Sequence, residues 1–164
     1  MAVRNFGESI SRPRVIDLDT IMPGFSVTDF GDSIRFGANH STEDEPDLSK
    51  VNFDIELYER YVSGFLQGAQ GGLTKTELEY LPWGARLMTL ECGMRSLSDH
   101  LNGDVYFKTA YPEHNLVRCR TQFELVADME RKLGFICHDL DIGGGLGVRY
   151  MESQPTLDIK KTIL

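Results

Sequence analysis

What most constrains this chain is a run of helix-period apolar patterns in its middle, broken only by short polar or glycine-bearing joints. Tyr58, Tyr61, Val62, Phe65 and Leu66 recur at the three-and-four spacing of one helix face, and Gly68 offers a stop. Thr74 followed by Glu77 has the spacing of a capping box, which opens a further helix. Pro82 suits the first turn of a helix, where its missing N–H is no loss, so a fresh helix is expected there. That helix carries Trp83, Leu87, Leu90, Met94, Leu97 and Leu101 on one stripe. A last helix is expected from near Asn115, burying Leu116, Cys119, Phe123, Val126 and Met129, with Asn115 as its cap. Such a chain is mainly α.

Two segments depart from this pattern. Val15-Ile16-Asp17-Leu18-Asp19 reads as a short strand near the N-terminus, followed by a Pro23-Gly24 turn. Ser26 to Asn39 is expected to hold a short helix, and Glu43 to Asp47 an exposed acidic loop. Beyond Leu133 the style changes to a strand-like Phe135-to-Ile142 run and the cluster Gly143-Gly144-Gly145-Leu146-Gly147, too glycine-rich for a helix. A boundary near residues 131–134 follows.

Charge narrows the partners. With 164 residues and a formal net charge of -8, the chain is a poor candidate for duplex nucleic acid or an anionic membrane surface, both of which select basic patches. No stretch approaches the roughly 20 apolar residues of a membrane span, and Met1 to Arg14 lacks the apolar core of a secretory signal. Cys92, Cys119 and Cys137 form no CxxC pair, which argues against structural zinc and for a reducing cytoplasm.

On a strand, Asp17 and Asp19 project from one side about 6.6 Å apart. Two such carboxylates can hold magnesium, or can be turn-forming, solvated acids. Glu91, Arg95 and Asp99 stand at i, i+4 and i+8, the spacing of an ion-pair ladder. His114 and Asn115 have no nucleophile or acid at a recognisable spacing.

The run V-I-D-L-D-T-I-M-P-G-F-S-V-T-D-F-G-D-S-I-R-F-G resembles the segment after the catalytic loop in aminoglycoside phosphotransferase and choline kinase-like enzymes. With E-D-E-x-D-L-S-K-V, M-T-L-E-x-x-x-R at 88–95, G-D-x-Y-F-K at 103–108 and H-N-L-x-R-x-R-x-Q at 114–122, it is closer to N-acetylhexosamine 1-kinases over about residues 15–132. The resemblance implies an incomplete protein-kinase-like C-terminal lobe, mainly α with a short strand or hairpin near its N-terminus. It implies magnesium at Asp17, with Asp19 a second candidate, and structural support from Asp29. It implies contacts from Phe36, Arg95 and Tyr106 to an N-acetylhexosamine sugar, with ATP and Mg2+ as the phosphoryl donor pair.

Residues 1–14 match nothing in that family, and neither its catalytic loop, H-x-D-x-x-x-x-N, nor its nucleotide-binding lobe is in the sequence. The chain alone is therefore expected to be inactive, and a separate chain could carry the N-lobe. L-D-I-G-G-G-L-G-V-R-Y at 140–150 resembles a different family, the diaminopimelate decarboxylases, within residues 133–164. There Gly143, Gly144 and Gly145 would approach the phosphate of pyridoxal phosphate, the alternative cofactor. On composition alone the same cluster reads as a flexible turn.

Overall fold

The computed structural model describes residues 21–135. Four α-helices make up most of them: α1 (Ser26–Gly37), α2 (Ile55–Ala69), α3 (Lys75–Leu101) and α4 (His114–Leu133), with a short 3-10 turn at Leu48–Lys50. Among the described residues there is no strand, and the one extended pairing is an isolated bridge between Asn39 and Phe53. This corrects the expectation of a strand or hairpin within a kinase-like lobe: the described unit is helix packed on helix. The expected strand at Val15 to Asp19 lies outside the described residues, as do Gly143, Gly144 and Gly145.

Local chemistry sets the helix starts. Asp54 caps α2 by accepting from the Glu56 and Leu57 N–H groups at 2.8 and 2.9 Å. The chain passes Gly68 and leaves α2 through Gln70, in the left-handed conformation, and then Gly71. At α3 the capping box forms, with Glu77 N–H donating to Thr74 Oγ1 and Thr74 N–H donating to Glu77 Oε2. Glu77 also accepts from Ser26 Oγ at 2.8 Å, tying the starts of α1 and α3 together.

Pro82 does not begin a helix. It lies inside the continuous 27-residue α3, where it removes the bond that the Leu78 carbonyl would otherwise receive. The helix persists because the capping box nucleates it upstream and one face stays buried on both sides of the proline. That face is Leu81, Gly84, Ala85, Thr89, Gly93, Ser96 and Asp99, and it packs between α1 and α4.

The core gathers Phe30, Ile34, Ala38, Val51, Phe53, Tyr58, Leu81, Ala85, Leu125 and Met129. Phe30 meets the edges of Phe65 and Tyr58 at 5.1 and 6.1 Å. Gly31 and Gly84 let α1 and α3 touch backbone to backbone: a Cβ on either would stand 2.2 Å from a carbonyl oxygen of the facing helix. The Asp29-Phe30-Gly31 triplet is thus a first-turn acid, a core ring and a helix crossing. By contrast the expected apolar stripe of α3 faces outward, with Trp83 45%, Leu87 53% and Met94 48% exposed.

Candidate functional site

The site is built around a carboxylate. Asp99, in the last turn of α3, is buried, and the chain after it turns sharply through Gly103 and Asp104, both at positive φ. The returning backbone then donates three N–H groups to that side chain: Val105 and Tyr106 to Oδ1 at 3.1 and 2.8 Å, and Phe107 to Oδ2 at 2.9 Å. Asn115 completes the shell, donating to Asp99 Oδ2 at 2.8 Å and to Asp104 Oδ1 at 2.9 Å. Burial alone would raise the Asp99 pKa, but these N–H donors outweigh it and hold the carboxyl below its ordinary range. Asp99 is a positioning residue with no free oxygen to offer a ligand.

Asn115 is therefore not the cap of α4. The residue before the helix is Glu113, at φ 66, and no side chain caps that end. Asn115 is fully buried instead, because its amide is the group that can bridge two carboxylates. His114, also buried, accepts the Ala110 N–H on Nδ1 at 3.1 Å, so its proton is assigned to Nε2, which faces Asp44 Oδ2 at 3.0 Å. The acidic loop at Glu43 to Asp47 is correspondingly half-anchored rather than free. Asp44 meets His114, Glu43 meets Arg35, and Thr121 Oγ1 donates to the Glu45 carbonyl at 2.9 Å. The His114 hydrogen bond is the main reason the Asp44 carboxyl lies below its usual range.

Pinning residues 105–107 against α3 opens two clefts. The first, about 290 Å³, is lined by Arg95, Ser98, Asp99, Asn102, Val105, Tyr106 and Phe107. The second, about 350 Å³, has Arg35, Arg95, Lys108 and Arg118 on its wall, together with Glu43, Cys92, Ser96 and Phe107. Arg95 and Phe107 belong to both, and the Arg95 guanidinium lies 5.5 Å from the Phe107 ring centre. Burial pushes the Cys92 thiol up, with the Arg35 guanidinium pulling the other way.

Of the sugar contacts expected from sequence, Arg95 and Tyr106 line one cleft, while Phe36 is 70% exposed at the end of α1 and lines neither. Asp29 is exposed in the first turn of α1, where an acid favours the helix dipole. The ladder expected of Glu91, Arg95 and Asp99 is only half made. Glu91 and Arg95 stand 3.8 Å apart, but Asp99 turns inward to the backbone.

The kinase expectation also needs correction. Asp17 and Asp19 lie outside the described residues, and among the described ones no group of three or more His, Cys, Asp or Glu could hold a metal ion. The described residues also hold no sheet, which corrects the expected kinase-lobe architecture, while the magnesium and ATP expected at Asp17 and Asp19 fall outside them. No helix among the described residues is long and apolar enough to cross a membrane. No protein-family model matches the chain.

Proposed function

We propose that this chain is a binding unit for a neutral hexosamine-type sugar, held in the cleft beside Arg95 and Tyr106, and that it performs no phosphoryl transfer by itself. One observation carries the reading: residues eleven apart in sequence, Arg95 and Tyr106, line a single cleft because Asp99 draws the 105–107 backbone onto α3. The chemistry of that cleft suits a pyranose. Val105 and the Phe107 ring offer apolar surface to C–H faces, and Arg95, Ser98, Asn102 and the Tyr106 hydroxyl offer donors and acceptors to ring hydroxyls. Tyr106 is 74% exposed, so the cleft is open and a monosaccharide can enter without a lid moving.

An acetamido sugar fits this reading better than a charged one, since the lining carries one cation and an already satisfied carboxylate. A cytoplasmic setting goes with it, given the free thiols Cys92 and Cys119. The decarboxylase-like alternative rests on Gly143, Gly144 and Gly145 outside the described residues, and no feature of the helices favours it.

Calorimetric titration with N-acetylglucosamine and N-acetylgalactosamine tests the proposal. Saturable binding that is lost in Arg95→Ala, with the helical circular dichroism unchanged, is the expected result. Absence of heat for both sugars at concentrations well above 1 mM, on the order of the weakest useful affinity, would sink it.

A further inference from the structure

The second cleft carries a different chemistry. In an acidic chain of net charge -8, four cationic side chains line one cleft with a single carboxylate, Glu43. Solubility gives no reason for that crowding, and four like charges at close quarters repel. Their neutralisation within the protein is uneven. Arg35 is committed, held by Asp32 at 2.9 Å and by Glu43. Arg118 spends its Nη1 on two neutral oxygens, the Lys108 carbonyl at 3.3 Å and Asn115 Oδ1 at 3.2 Å. Among the described residues neither Arg118 nor Lys108 has a carboxylate within 4.0 Å, while Arg95 has only Glu91, at 3.8 Å and half-exposed.

We infer that this second cleft is an anion site for a small phosphate monoester or inorganic phosphate, gripped by Arg118, Lys108 and Arg95. The sum of unneutralised charge favours a dianion over a carboxylate, and planar guanidinium forks at Arg95 and Arg118 suit tetrahedral oxyanions. The backing of the site is fixed: Arg118 leans on Asn115, which is itself locked by Asp99 and Asp104. The cleft's volume, about 350 Å³, leaves room for more than the anion alone. Since Arg95 and Phe107 are shared with the neighbouring cleft, one ligand could reach into both. The anion site itself does not depend on the sugar reading.

The test uses inorganic phosphate on the full chain, at constant ionic strength, followed by calorimetry and by the arginine side-chain Nε resonances. The expected result is saturable binding with a dissociation constant on the order of 1 mM. It should weaken about five- to tenfold in Lys108→Gln, which leaves the Lys108 backbone carbonyl in place, and at least as much in Arg118→Gln. Tyr106→Ala, which lies on the sugar cleft alone, should leave phosphate binding unchanged. A hexose monophosphate in a second arm separates the sources. Tighter binding than phosphate that requires Tyr106 means a ligand spanning both clefts, and equal binding means the anion is recognised alone. No saturable response to phosphate, or equal affinity in wild type and both charge variants, would overturn the inference.

Discussion

Gly84→Ala changes one hydrogen to a methyl group, and the α1–α3 crossing sets its consequence. An alanine Cβ there would stand 2.2 Å from the Val27 carbonyl oxygen and 2.9 Å from its carbon, about 1.2 Å inside the 3.4 Å at which ordinary contact begins. The obstacle is helix backbone, which cannot swing aside as a side-chain tip can. The helices must part by about 1 Å, and a gap of that size forfeits a quarter to a half of each dispersion well along the seam. The seam includes Phe30, Ile34 and Ala85, all at 0% exposure, so the loss is spread over the centre of the core. Overpacking of this kind costs about 1–3 kcal/mol, occasionally more, whereas alanine gains up to about 1 kcal/mol over glycine in helix propensity. The net expectation is a loss of about 1 kcal/mol, and more where the backbones cannot part. Gly64→Ala in α2 is the control, because a Cβ there meets nothing within 4 Å and should stabilise by up to about 1 kcal/mol. Urea unfolding followed by far-ultraviolet circular dichroism reads both variants, with an unchanged m-value. Equal midpoints for the two would refute the close crossing.

Two further changes test the other constraints. Asp99 has its carboxyl below the ordinary value of 3.8 in the folded state and at that value when unfolded. Its contribution to stability is therefore fully present above the ordinary value and is lost as pH falls through the folded one. Asp99→Asn should lower the urea midpoint near neutral pH and flatten the acid limb below about pH 4. An unchanged acid slope would mean the three N–H bonds do not depend on the charge. Pro82→Ala restores an N–H opposite the Leu78 carbonyl within α3 and should raise stability by about 1–2 kcal/mol, less than the full interior-proline penalty of about 3 kcal/mol because the unfolded chain regains freedom. Denaturant unfolding of that variant would expose the error if the midpoint fell.

Much of the helical order was legible from residues alone. Periodicity found α2 and α4, and the Thr74–Glu77 spacing gave the start of α3 because a capping box is a local device, but α3 is one helix where the pattern suggested two. Cys119, Val126 and Met129 are buried, as the last pattern implies. Pro82 was misread because its preference for a first turn is a local prior, and packing against α1 overrides it. The buried face of α3 is likewise hidden from a pattern of large apolar residues. Large apolar residues draw the eye, yet the face that packs is small or polar (Gly84, Ala85, Thr89, Gly93, Ser96), since close helix crossings exclude bulk. Arg95 and Tyr106, named through the resemblance, line one cleft, but the group that brings them together carries no such signal. Asp99 looked like the third rung of a ladder and Asn115 like a cap. Their true partners are backbone N–H groups and a second carboxylate, which no side-chain pattern announces.

The two faces of α3 explain where the clefts must lie. Leu81, Ala85, Thr89 and Ser96 fix the side buried between α1 and α4, and Trp83, Leu87, Met94 and Leu101 occupy the opposite side. At 3.6 residues per turn, that leaves a narrow polar seam through Glu91, Arg95, Ser98 and Asn102, each three or four residues from the next. Three of those four line the first cleft. Asp99 comes one residue after Ser98, which rotates it off the seam and onto the buried side. It cannot pair with Arg95 across solvent, and as a buried carboxylate it must find donors or lose its charge. The 105–107 backbone supplies them, and in doing so it sets Tyr106 and Phe107 over the seam, facing Arg95. The cleft thus follows from one buried charge that needed partners. A variant that satisfies Asp99 without that backbone would keep α3 intact and lose the cleft.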